Sequence, residues 1–281
     1  MARRRLAYEE LFLHQVVLTG LRSGKVRDCP EAVLVDGPSG TSEAWLAGLP
    51  FELTDDQRAA IGQVGFDLGR TEPMRRLLMG EVGSGKTVVA LWAMLRAVES
   101  GAQAALMAPT EILVGQHLST ISRLLRGTGV KLGILTGSST SDQRADVLSS
   151  LESGEPSIVV GTQALLEDSV GFDSLAVCVI DEEHRFGVRQ RDRLDAKAPP
   201  GRSANLLHLS ATPIPRTLSL TSYGDPDVTA LRELPSGRLP VETRLAAEPD
   251  RDEVFARVRA EVGRGRQAFV VCPLVEESPE I

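Results

Sequence analysis

The stretch GEVGSGKT, residues 80–87, limits the possible folds more than any other part of the chain. It carries the pattern GxxxxGK[ST], with Gly80, Gly85, Lys86 and Thr87 at the fixed positions. A short apolar run, LLM at 77–79, precedes it and a helical pattern follows it. Strand, loop and helix in that order are the setting this motif needs. Glycines allow the loop to curl, so that backbone N–H groups across Gly83, Ser84 and Gly85 point inward at phosphate oxygens. The helix that begins near Lys86 adds its positive end. Lys86 is then placed to neutralise the β- and γ-phosphates of a nucleotide, and Thr87 to bind Mg²⁺.

The alternation continues along the chain. Helical patterns at 54–69, 86–100, 111–127 and 141–152 interleave with short apolar runs: LLM at 77–79, AALMA at 104–108, LGIL at 132–135, SIVV at 157–160, LAVCVI at 175–180 and NLLHLS at 205–210. This predicts an α/β domain with a mostly parallel sheet covered on both faces. Residues 3–22 read as an amphipathic helix, and 23–50, rich in Gly, Pro, Ser and Asp without periodicity, as a linker or loop. ELPSGRLP at 233–240 breaks the pattern. A helical stretch at 250–264 and the apolar run AFVVC at 268–272 follow it, so 241–281 reads as the opening of a second α/β domain whose remainder lies outside this chain. The expected division is 1–48, N-terminal helix and linker; 49–232, nucleotide-binding domain; 233–281, linker and start of a second domain.

Length and composition fit this reading. A chain of 281 residues supports one or two domains. With aromatics at only 4%, the core must come from Leu, Val, Ala and Ile. The net charge of −7 means that any nucleic-acid contact must use local donors rather than bulk charge. Cys29, Cys178 and Cys272 are odd in number and far apart, which supports neither a zinc site nor a disulfide framework and suits a reducing cytoplasm. In MARRRLAYEELFLHQ basic residues precede apolar ones, but Glu9, Glu10, His14 and Gln15 interrupt what would be a signal peptide. No run approaches the ~18 apolar residues of a membrane span.

In LAVCVIDEEH, residues 175–184, an apolar strand pattern ends in three acids and a histidine. In phosphate-loop enzymes an acid at a strand end holds Mg²⁺, a role that falls to Asp181. Glu182 is the candidate to polarise an attacking water. All strand C-termini of a parallel sheet open on one edge, so Lys86, Thr87, Asp181 and Glu182 can converge despite their separation. Glu183 reads as peripheral, and His184 as a structural hydrogen-bonder or a sensor of nucleotide state.

DEEH together with GSGKT resembles the nucleotide site of superfamily 2 helicases. LPFELTDDQ, with Phe51 and Gln57, is similar to their adenine-reading Q-motif region. APTEILVGQH (108–117), LTGS (135–138) and GTQALL (161–166) resemble their strand-gripping motifs. LSATPIPRT (209–217), holding Ser210, Ala211 and Thr212, resembles the motif that couples nucleotide state to nucleic-acid binding. ALMAPTEIL, DEEHRFGVRQRDRL, SATPIPRTLSLTSYGDPDV and ELPSGRLPVETR are specifically similar to the RecG-type DNA helicases, over nearly the whole chain and most weakly at 23–48. The departures from the RecG pattern are Glu81 for aspartate, DEEH for DEQH, and Gln163 for histidine in GTQAL.

The resemblance implies a RecA-like lobe that uses ATP and Mg²⁺ to move on branched or forked duplex DNA, in fork reversal and branch migration. It implies DNA contacts from Pro109, Thr110, Gln116, Gly161 and Thr162, where backbone N–H groups and hydroxyls can hold phosphates without reading bases. The basic run 185–193 reads equally as a solvated helix face or as a contact with DNA or a neighbouring domain. The resemblance also implies an N-terminal wedge domain, a second motor lobe whose arginines complete the ATP site, and a C-terminal hook. None of these is within the chain, which reads as an internal fragment. The alternatives are a non-catalytic nucleotide- or DNA-binding module, and the motor lobe of a transcription-repair coupling factor-like translocase, which shares DEEHRFGV. A phosphate-loop kinase or GTPase fits less well, since no guanine-reading NKxD is found.

Overall fold

Seven parallel strands order the chain between Arg75 and Leu231. The computed structural model describes residues 12, 31–35, 40–181, 193, 196–211, 226–235 and 242–272. The strands are β2 (Arg75–Gly80), β3 (Gln103–Met107), β4 (Lys131–Leu135), β5 (Ser157–Gly161), β6 (Leu175–Asp181), β8 (Asn205–Ser210) and β9 (Asp227–Leu231), preceded by a short β1 (Glu31–Ala32) that pairs with β7 (Arg202–Ser203). The helices are α1 (Gly40–Ala47), α2 (Asp55–Leu68), α3 (Lys86–Glu99), α4 (Glu111–Leu124), α5 (Ser141–Glu152) and, separately, α6 (Arg251–Gly263). The large sheet has the order β4-β5-β3-β6-β8-β2-β9, with every pairing parallel.

The apolar runs become central strands because both faces are covered. Alternate residues of β3 and β6 feed opposite layers. Ala104, Leu106, Val177 and Val179 join a core with α2 and α3, while Ala105, Met107, Cys178 and Ile180 join a second core with Leu151 of α5. In α3 every residue from Val88 to Leu95 is buried, as expected of a helix enclosed by a sheet and its neighbours. Gln103, polar in a central strand, is satisfied: its Nε2 donates to the Leu151 carbonyl at 2.8 Å and its Oε1 accepts from the Ser174 N–H at 3.1 Å. Cys178 is buried and Cys272 exposed, neither in a disulfide, and Cys29 lies outside the described residues. Among the described residues no helix is long and apolar enough to cross a membrane.

Three expectations need correction or completion. The stretch 23–50 is not all linker: it contains β1 and α1. α1 is only eight residues long and buries just Ser42 and Trp45, too little for a periodic signal. Its anchors are tertiary. The Glu99 carboxylate of α3 caps its start, accepting the Thr41 N–H, the Ser42 N–H at 3.1 Å and the Ser42 hydroxyl at 2.8 Å. Trp45 Nε1 donates to the Leu124 carbonyl of α4 at 2.8 Å. β9 was not among the expected strands, since DVTAL on the sheet edge has only Thr229 and Leu231 buried. Finally, AFVVC at 268–272 forms no strand; Phe269, Val270 and Val271 are exposed. A strand needs a neighbour for its backbone groups, and no described residue of its compact unit, Gly237–Ile281, forms one. The other unit is Met1–Ser236. Except for Phe12, the helix expected over 3–22 lies outside the described residues.

The cap on α1 carries a pH signature. Burial, the largest influence on Glu99, pushes its pKa up, but hydrogen bonds from Ser42, Thr41 and Arg96 together outweigh it and leave the pKa below the ordinary glutamate value. A carboxyl with a depressed folded-state pKa stabilises above its unfolded pKa, and that contribution is lost as pH falls through the folded pKa. Glu99→Gln is therefore expected to cost about 1–2 kcal/mol at pH 7. In thermal unfolding, the gap between the wild type and E99Q should narrow as the buffer is taken below pH 4.

Candidate functional site

Glycine conformations and three hydrogen bonds to backbone carbonyls shape the loop between β2 and α3. Gly80 leaves the sheet where a Cβ would meet Ser84 Oγ at 2.4 Å and the Leu231 carbonyl oxygen at 3.1 Å, so only glycine fits. Gly83 and Gly85 both adopt a φ of 86°, the left-handed region that favours glycine. The Ser84 N–H closes the turn onto the Glu81 carbonyl at 3.0 Å. Gly85 caps α3 without a side chain, which leaves the first helical amides to face the loop. Lys86 Nζ crosses the loop and donates to the carbonyls of Gly80 at 2.6 Å and Glu81 at 3.0 Å.

Gln57 braces this loop from behind. It is the third residue of α2 and forms a reciprocal cap with Thr54: its N–H donates to Thr54 Oγ1 at 3.2 Å, and its Oε1 accepts the Thr54 N–H at 3.0 Å. Its remaining donor, Nε2, reaches the Ser84 carbonyl at 2.8 Å. A Cβ on Gly85 would lie 2.2 Å from that Nε2. The residue singled out for reading adenine is thus 2% exposed and hydrogen-bonded to the phosphate loop itself. Phe51, its companion in the sequence reading, is 44% exposed and lines a cavity of about 970 Å³ with Trp45, Arg123 and Arg126.

The residues present fit a nucleotide phosphate. Glycine alone fits at Gly80, against Ser84, and at Gly85, against Gln57, which keeps the loop backbone bare, and the fully buried Ser84 Oγ has no hydrogen-bond partner among the described residues. Those same residues include no group of three or more His, Cys, Asp or Glu able to hold a metal alone. Glu182, Glu183 and His184, which follow Asp181 in the sequence, are not in that set.

Asp181 ends β6. Its Cα partner in β8 is Leu209, and Leu209 is paired on its other side with Leu78 of β2. Asp181 and β2 therefore flank β8 on the same sheet edge, two strand spacings or roughly 9.5 Å apart. Ser210, buried at the end of β8 opposite Met79, lies between them, with the half-buried Ala211 next. Glu182, Glu183, His184 and Thr212 lie outside the described residues, as do Arg185, Arg189 and Arg191. Arg193, the remaining basic residue of that run, makes an exposed 3.4 Å ion pair with Asp168.

One partner of a candidate site residue is not predicted by the sequence. His117 Nε2 on α4 lies 2.7 Å from Asp181 Oδ2, and both side chains are nearly buried, at 12% and 13% exposure. The only signal was its place at the end of APTEILVGQH; its partner is 64 residues away.

The expected DNA contacts gather at the exits of β3 and β5. Thr110 and Gln116 are exposed, and Pro109 and Thr162 half-buried. Thr110 Oγ1 accepts the Leu113 N–H at 3.3 Å and Thr162 Oγ1 the Ala164 N–H at 3.4 Å, so each hydroxyl keeps its own hydrogen to donate. The backbone donors are less available than expected. The Thr162 N–H is taken by the Leu135 carbonyl at 3.2 Å, and Pro109 has none. Gly161 is a packing residue, since its Cβ would lie 2.3 Å from the Leu135 carbonyl oxygen. Glu111 ties this face to the next loop, accepting from the Ser138 hydroxyl at 2.8 Å and N–H at 3.0 Å, bonds that hold its pKa below the usual value.

Gln57→Ala removes one half of the α2 cap and the brace on Ser84 together. It is expected to lower stability by about 1–2 kcal/mol in denaturant titration.

Known proteins are similar to this chain in sequence and fold. The chain is 43% identical to the ATP-dependent DNA helicase RecG of Mycobacterium tuberculosis over 99% of its own length and 40% of that protein's. It is 43% identical to the RecG of Aquifex aeolicus over 99% of its own length and 35% of that protein's. A structure of RecG bound to a three-way DNA junction superposes with a TM-score of 0.83 at 38% identity, covering 98% of this chain and 36% of the other. The chain spans about two-fifths of the length of the curated relatives it matches. Residues 54–221, from the Thr54 cap through the phosphate loop and β8, match the sequence profile of the DEAD/DEAH box helicases, and the chain belongs to that family.

Proposed function

We propose that this chain is the ATP-binding motor lobe of a RecG-type DNA helicase or translocase acting on branched or forked duplex DNA, in fork reversal and branch migration. The observation that carries the reading is the placement of a braced glycine loop and Asp181 on one sheet edge, on either side of β8. The similarity to RecG proteins over 99% of the chain supports the choice within the family.

On this reading, the loop amides of Gly83, Ser84 and Gly85 bind the phosphates of ATP, and Lys86 exchanges its carbonyl partners for phosphate oxygens. Thr87 and Asp181 hold Mg²⁺, which supplies charge neutralisation at the phosphates. Glu182 orients the attacking water. Gln57 fixes the loop, and Phe51 and Gln57 lie on the adenine side. Ser210, Ala211, Thr212 and His184 relay nucleotide state. Pro109, Thr110, Gln116, Gly161 and Thr162 form the DNA face, where the two hydroxyls are the donors and Gly161 sets the spacing. Residues 49–232 form the ATP-binding domain and 233–281 begin a second motor lobe, whose arginines complete the ATP site. A buried Cys178 outside any disulfide suits a cytoplasmic protein.

Titration with a fluorescent ATP analogue tests the central claim. The wild type should bind and Lys86→Ala should not; equal binding by both would refute it. In a steady-state assay with forked DNA, this chain by itself should turn over slowly. An absent arginine finger alone accounts for a loss of about 10³–10⁵ in rate. Turnover typical of an intact helicase would contradict the two-lobe site.

A further inference from the structure

We propose that His117 is a positioning residue: it holds the carboxylate of Asp181 in the orientation that binds Mg²⁺, and ties that carboxylate to the DNA face through α4. The inference rests on the nucleotide-site reading above and adds a residue to it.

Helix α4 starts at the Thr110 cap and ends at Leu124. His117 lies about two turns into it. Its neighbour Gln116 is exposed, whereas His117 turns towards β6 and meets Asp181 at 2.7 Å. Adjacent helical residues diverge by ~100°, so one residue can face solvent while the next faces the sheet. The bond occupies Oδ2 of Asp181 and leaves Oδ1 as the second acceptor. Both side chains are largely shielded from water, so the hydrogen bond is strong and directional. A carboxylate that binds metal through one oxygen is commonly held in place through the other, and removing such a partner typically lowers metal affinity about 10–100-fold.

Helix α4 also carries Thr110 and Gln116, proposed to meet DNA phosphates. It is joined to the loop after β4 by the Glu111–Ser138 bonds. A rigid helix with DNA at its first turn and the Asp181 clamp near its middle links the two sites by one body. Simple packing of α4 on β6 would need no polar pair here: Val114 and Ile121 already bury that helix.

The test uses this whole chain at one fixed pH, with a fluorescent ATP analogue and Mg²⁺ titrated from chelator-treated samples. His117→Asn is too short to reach Asp181; His117→Gln keeps a donor at the same reach. The wild type is expected to bind the analogue more tightly as Mg²⁺ is added. H117N should need about tenfold more Mg²⁺ for half the effect, and the loss of a shielded hydrogen bond should also lower its melting temperature. H117Q should recover most of the loss. Forked DNA should shift the Mg²⁺ midpoint of the wild type and not that of H117N.

A wild-type Mg²⁺ midpoint in H117N would overturn the proposal, and so would failure of H117Q to restore it. An equal loss of Mg²⁺-free binding, or a lowered melting temperature without a change in midpoint, would assign His117 to packing alone. A DNA shift that is absent from the wild type, or equal in both proteins, would remove the link through α4. If the wild type binds no nucleotide at all, the nucleotide-site reading itself has failed, a result distinct from any of these.

Discussion

Parallel pairing makes every strand of the main sheet end on the same edge, and the chemistry of this chain depends on that constraint. β2, β6 and β8 are brought side by side although their sequences are far apart. Their exits place the phosphate loop, Asp181 and Ser210 within two strand spacings, roughly 9.5 Å. The neighbouring exits of β3, β4 and β5 collect Thr110, the Thr136–Ser139 loop and Thr162. The proposed nucleotide face and the proposed nucleic-acid face thus share one rim, with β3 and β6 at their junction.

A small set of satisfied polar groups holds that rim in register. Asn205 at the start of β8 accepts the Met74 N–H at 2.9 Å and donates to the carbonyls of Val33 and Ala176 at 3.0 Å, knitting β1, β2, β6 and β8 at their entrances. Arg76 in β2 reaches Asp67 at 2.7 Å and Thr229 at 2.7 Å, which fixes α2 and the edge strand β9 against β2. Gln57, at the other end of α2, can therefore brace the phosphate loop, because α2 is itself tied at its far end. Buried groups of this kind are costly when unpaired, so each helps to select one register over its alternatives.

The alternation of apolar runs and helical patterns was enough to locate β2, β3, β4, β5, β6, β8 and α2 through α5 to within about three residues at each end. Those elements are long or uniformly apolar, and their period survives any tertiary context. α1 and β9 were not legible for opposite reasons. α1 is short and its start is held by Glu99 from another helix, a contact no local pattern encodes, and β9 is an edge strand that exposes Val228 and Ala230 while burying the polar Thr229, so its alternation is inverted. The exposed run AFVVC has a strand's composition without a partner to pair with. Within the site, Gly80, Gly85, Lys86, Thr87 and Asp181 were legible as motif positions, because phosphate binding demands those residue types at those spacings.

By itself the sequence determined the chemistry of the loop and the class of sheet around it, since glycines at fixed intervals, a lysine and a strand-ending acid admit few other uses. Tertiary structure alone decided which groups hold that chemistry in place. Gln57 became a brace on Ser84 because α2 packs across the loop, and His117 met Asp181 because β3 and β6 are neighbours in the sheet. The physical reason is range. A motif encodes what one short backbone segment can bind, whereas the partners of its side chains come from segments that only the strand order brings together.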